Sequence, residues 1–115
     1  MVTEETEIRP RRAEQRGSLR RSAPLRCWLS DGGLDRYVML ADISTKGARI
    51  ITVSPPAVAS LLTLRLRLGT DGDKVRAVAR VVWRAEGFRG RGGVAGVRFT
   101  DVVGAEAIAR FVVEG

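Results

Sequence analysis

Histidine is absent from this sequence and cysteine occurs once, as Cys27. A lone thiol closes no internal disulfide, which excludes a small secreted scaffold held by bridges. The usual Cys/His zinc sets cannot be assembled, and neither a Ser-His nor a Cys-His nucleophile pair is available. The expectation is a protein without a metal site, a cofactor or catalytic residues, and not an enzyme. Aromatic residues are few, two Trp, one Tyr and three Phe. A base-stacking platform has little to draw on, so nucleic acid is disfavoured as a partner. No apolar run approaches the ~18 residues of a membrane span. The opening MVTEETEIRPRR lacks the apolar stretch of a secretory signal. A cytoplasmic protein with no membrane span is expected.

Positive charge, by contrast, is plentiful. The formal net charge is +7, and Lys46 and Lys74 are the only lysines, so the basic character is carried by arginine. Arginine presents a planar fork of donors that fits phosphate and the edge of guanine, which lysine does not. A charged partner should therefore be an anion. The 115 residues suffice for one domain with one modest core.

Residues 1–15 are charged and carry no apolar periodicity, and they read as a flexible basic tail ahead of a domain over 16–115. From Pro24 onward, short alternating runs separated by turn signals point to a small all-β barrel or sandwich. Strands are predicted over Pro24–Ser30, Leu34–Ile43 and Ala48–Val53. Leu62, Leu64, Leu66 and Leu68 alternate with polar residues in a fourth, and Val75, Ala77, Ala79, Val81 and Trp83 form the apolar set of a fifth. Val94–Thr100 is the sixth, after the Gly/Arg-rich loop 87–93. The period then changes. Asp101 is placed to cap a helix whose stripe is Val103, Ala107, Ile108, Phe111 and Val112.

Two clusters carry chemistry. Arg16 and Arg20 stand in R-x-x-x-R spacing just ahead of the first strand, although Arg12 and Arg16 satisfy the same spacing. Asp42, Ser44 and Gly47 form D-x-S-x-x-G at the junction of strands two and three. Asp42 can accept from the ring N–H and amino group of a guanine, and Ser44 can donate to a neighbouring acceptor. Gly47 is read as a position able to take positive φ. The arginines can fork onto phosphate oxygens or onto guanine O6 and N7. The same Asp-Ser-Gly spacing also describes a plain hairpin turn. Trp83 fits either the edge of such a site or the core.

With Val81-Val82-Trp83, Gly96-Val97-Arg98-Phe99 and the C-terminal helix, these motifs make the chain resemble the PilZ domain family over about residues 12 to 113. The resemblance implies a six-stranded antiparallel barrel with a C-terminal helix that binds the bacterial second messenger cyclic di-GMP on its outer surface. It implies that Arg16 and Arg20 close over the ligand while Asp42, Ser44 and Gly47 hold a guanine. No output domain is expected in this chain, so the signal would pass to a separate, unidentified protein. The alternative is a barrel of the same kind that serves as a protein–protein adaptor and binds no nucleotide.

Overall fold

The computed structural model describes residues 19–87 and 92–114, with the backbone alone at Ala23 and Pro24. Six strands follow one another, β1 (Arg20–Asp31), β2 (Leu34–Ser44), β3 (Gly47–Thr52), β4 (Leu61–Leu68), β5 (Asp73–Glu86) and β6 (Gly93–Val103). They close into an antiparallel barrel in the order β1-β2-β3-β6-β5-β4, with β4 pairing back to β1. Closure leaves no sheet edge for another strand to extend. The predicted all-β barrel is the observed fold, with β1, β5 and β6 each running several residues further than the periodicity indicated.

The interior is filled by the alternate residues of each strand. Leu62, Leu64 and Leu66 of β4 stand opposite Ala79, Ala77 and Val75 of β5, so large side chains meet small ones across the seam. Cys27, Leu29, Leu40 and Ile50 complete the centre. Each leucine so enclosed contributes about 1.5–3 kcal/mol relative to exposure.

Cys27 is part of this core at 1% exposure, and burial pushes its thiol from 9.0 up to about 12. The folded state keeps a proton that the unfolded chain releases above pH ~9. Stability is therefore unaffected below about pH 9 and falls as pH rises toward 12, by up to about 1.4 kcal/mol per pH unit. Urea midpoints at neutral and alkaline pH should show this slope in the wild type and a shallower one in Cys27→Ala.

The helix α1 (Ala105–Glu114) lies over one end of the barrel with Ala107, Ile108 and Phe111 buried. Two details of the predicted helix are corrected. Asp101 does not cap it, and Val103 is not on its buried face. Both remain in β6, where Asp101 pairs with Val78 and Val103 with Arg76. Continued pairing with the long β5 satisfies this backbone, and the turn falls instead at Gly104, whose φ is +95°. Arg21 ties the helix to the start of β1. Its guanidinium lies 3.9 Å from the centre of the Phe111 ring and donates to the Phe111 carbonyl at 2.9 Å.

Candidate functional site: a bulge-turned carboxylate on the barrel wall

Asp42 reaches the outer wall because of a break in strand parity. Val38 and Leu40 of β2 face inward, so uninterrupted alternation would put Asp42 in the core beside them. In the β2–β3 ladder, however, Leu40 pairs with Ile50 and Asp42 with Arg49, leaving Ala41 as the extra residue of a bulge. The β1–β2 ladder shifts at the same level, between Ser22 and Leu25. Past the bulge, Ile43 takes the inward position and Asp42 turns outward.

The carboxylate is nonetheless 3% exposed, because two arginines close over it. Arg20 donates to Oδ1 at 2.5 Å, and Arg49 donates through Nε to Oδ2 at 2.6 Å, with a second contact from its terminal nitrogen. The hydrogen bond to Asp42 raises the Arg49 pKa, against a smaller opposing effect of burial. The arginine side chains keep 38% and 52% of their surface exposed, so the cations face solvent while the anion beneath does not.

Ser44 and Gly47 shape the turn that fixes this register. The Ser44 hydroxyl accepts from the backbone N–H of Lys46 at 3.1 Å and of Gly47 at 3.2 Å, and it is fully buried. It also lies 3.4 Å from the Gly47 carbonyl, to which it donates. The Lys46 carbonyl accepts from Phe99 N–H at 2.8 Å, which anchors the turn to β6.

Gly47 does not have the positive φ expected of it. It sits in regular strand conformation, and the demand for glycine comes from β6. A Cβ there would lie 2.1 Å from the Val97 carbonyl oxygen.

A second bulge aligns Trp83 with the same row. Val82 is the extra residue between the pairs Val81–Val97 and Trp83–Gly96, so Trp83 leaves the apolar set of β5 and points outward. Its indole is laid over Gly96, where a Cβ would fall 2.1 Å from Nε1, and it remains 41% exposed. Ser22, Asp42, Arg49, Gly96 and Trp83 thus form one cross-strand row, spaced about 4.8 Å per strand.

Of the five residues singled out from sequence, the structure brings Arg20, Asp42, Ser44 and Gly47 together. Arg16 lies outside the described residues, as do Arg12 and the residues 1–15 read as a tail. Arg49 was missed, yet a signal for it existed. A two-residue turn at Thr45-Lys46 makes Ser44 and Gly47 opposite, and counting back places Arg49 against Asp42. Among the described residues no helix is long and apolar enough to cross a membrane.

An antiparallel barrel capped by a helix, with a D-x-S-x-x-G hairpin and arginines on its wall, defines a class. The PilZ domain model matches residues 10–114, and the chain belongs to the PilZ domain family. Among solved structures it is similar to the Bacillus subtilis inhibitor of motility MotI/DgrA, with a TM-score of 0.75 at 13% identity over 99% of this chain. It spans 56% of the length of that structure. It is also similar to the PilZ domain of CeSA from a cellulose-synthesizing bacterium, with a TM-score of 0.59 at 20% identity, covering 83% of this chain and 95% of that one. No curated protein sequence gives a significant match.

Proposed function

We propose that this chain is a receptor for cyclic di-GMP, acting in the bacterial cytoplasm and passing the signal to a separate protein. The observation that carries the reading is Asp42, a carboxylate 3% exposed on the outer wall and held between two arginines. A guanine offers its ring N–H and amino group to one carboxylate, and the neighbouring arginines fit its O6 and N7 or the phosphates. Both oxygens of Asp42 are engaged by Arg20 and Arg49. Binding therefore involves an exchange, in which the guanine donors replace an arginine and the freed guanidinium moves onto the ligand's phosphate. Arg16 supplies a further fork from the segment ahead of β1. Gly47 and Ser44 hold the hairpin that presents Asp42, and the exposed indole of Trp83 closes the far end of the row. No residue has a catalytic role in this reading.

Calorimetric titration with cyclic di-GMP, and with GTP in parallel, tests it. The cyclic dinucleotide should bind at about tens of micromolar or tighter, a free energy near −6 to −7 kcal/mol, and GTP far more weakly. Asp42→Ala should keep its melting temperature within a few degrees but lose about tenfold or more in affinity, since ligand donors would be left unpaired at about 1–3 kcal/mol. Wild-type affinity in a folded Asp42→Ala variant would remove Asp42 from the site.

The adaptor reading also has an observation in its favour, because Asp42 and Ser44 are fully partnered without any ligand. Absence of binding heat with cyclic di-GMP would leave that reading in place.

A further inference from the structure

A second face of the barrel carries a different chemistry. It begins about 17 Å from Asp42 along β2, five residues back at Tyr37. A depression of about 620 Å³ opens there over the outer surfaces of β1, β4 and β5. Five cations line it, Arg26, Arg65, Arg67, Lys74 and Arg76, and no carboxylate does.

Their arrangement is electrostatically unfavourable for the barrel itself. Arg65 pairs directly with Arg76 across the β4–β5 ladder, and Arg67 with Lys74. Like charges directly opposite on neighbouring strands destabilise a sheet. Relief is slight. Asp35 reaches Arg65 from the rim at 3.2 Å, while Arg67, Lys74 and Arg76 have no ion pair among the described residues. A two-by-two array of cations held in this way gains most from an anion that spans it.

Two of the few aromatic rings stand at its edge. Trp28 and Tyr37 are cross-strand neighbours whose rings stack with centroids 4.7 Å apart, yet they remain 44% and 55% exposed. The Arg26 guanidinium lies over the Tyr37 ring at 5.7 Å. Trp28 is also paired to Arg65, so the rings and the cation array are contiguous. A small anion would use the cations alone, and an acidic protein segment has no need of exposed stacked rings. A chain that alternates phosphates with planar bases uses both. Cationic grooves beside aromatic stacking surfaces are how single strands are held without sequence preference.

We infer that the outward face of β1, β4 and β5, with the Trp28–Tyr37 stack at its border, is a binding site for single-stranded nucleic acid. This site is separate from the Asp42 row and does not depend on the receptor reading. It departs from the expectation drawn from the scarcity of aromatics, because the tertiary structure gathers two of them beside the cations.

The test is fluorescence anisotropy of a labelled twelve-residue oligothymidylate titrated with the full chain at several salt concentrations. Binding should weaken steeply with salt, with a log–log slope of about −2 to −3, the value for three to four phosphate contacts at about −0.7 each. Arg76→Glu should lower affinity at least tenfold and flatten the slope. Trp28→Ala should lower affinity about tenfold without flattening it. Asp42→Ala should bind the oligonucleotide like the wild type, and unlabelled cyclic di-GMP should not displace it. Melting temperatures of the variants separate lost binding from lost fold, and Arg76, exposed on the barrel wall, is replaceable without touching the core.

The inference is overturned by no binding at low salt, or by equal affinity for an abasic oligomer, which has the phosphates without the bases. It is equally overturned if poly-L-glutamate competes as well as the oligonucleotide, which would identify an acidic protein segment as the occupant. Displacement by cyclic di-GMP together with loss in Asp42→Ala would assign the binding to the Asp42 row instead.

Discussion

Gly47→Ala is expected to be among the most damaging single-methyl additions in this protein, lowering stability by about 3 kcal/mol, the upper part of the usual range for overpacking. The added Cβ would meet the Val97 carbonyl oxygen at 2.1 Å and the Arg98 Cα at 3.3 Å. Both are backbone atoms of β6 and cannot rotate away as a side chain would. Relief requires β3 and β6 to separate where Gly47 pairs with Arg98 and where the Lys46 carbonyl receives Phe99 N–H. For a domain of this size the change corresponds to a fall in Tm on the order of 15 °C, measurable by thermal melts followed in circular dichroism. Because the seam begins at the hairpin that presents Asp42, the receptor reading expects cyclic di-GMP affinity to fall as well. Gly33→Ala, in a turn with nothing within 4 Å of the added Cβ but with φ at +92°, is the comparison. It carries backbone strain without a collision, so a larger effect there than at Gly47 would refute the close-approach explanation.

The Arg20→Met/Arg49→Met double variant should lose about 2–3 kcal/mol, which is more than Asp42→Ala loses. The asymmetry follows from which partner is buried. Deleting Asp42 leaves two cations with 38% and 52% of their side-chain surface in water, where they are readily solvated. Replacing both arginines by methionine keeps an unbranched side chain over the carboxylate but removes its charged donors, and an unsatisfied buried charged group costs more than a neutral one. Adding Asp42→Asn to the double variant should restore much of the lost stability, since the stranded charge is then gone. Denaturant midpoints for the wild type, Asp42→Ala, the double variant and the triple variant check this. A double variant as stable as Asp42→Ala would mean that water already reaches the carboxylate.

Site residues were legible in the sequence to the extent that their local spacing alone dictates geometry. The D-x-S-x-x-G run implied a hairpin, and the structure contains one, with the Ser44 hydroxyl bonded to the turn's N–H groups. The reason for Gly47 was misjudged. Positive φ is a local property guessed from a turn, whereas the actual constraint comes from Val97, fifty residues away in sequence. Trp83 shows the same limit. Counting by twos from Val75 places it inside, and only the extra residue Val82 in the β5–β6 ladder turns it outward.

Sequence by itself determined that this chain forms six strands and a C-terminal helix, because a period of two and a period near 3.6 are written in consecutive residues. It also determined an arginine-borne positive charge and the absence of histidine chemistry. Tertiary structure decided which side chains share a surface. Bulges at Ala41 and Val82 reset the parity of β2 and β5, putting Asp42, Arg49 and Trp83 on one outer row. Barrel closure set β1 against β4, which brought Trp28 beside Arg65 and the cations beyond it. A bulge depends on how one strand's length matches its partner's, and closure depends on all six strands together. Neither is a property of any short run of residues.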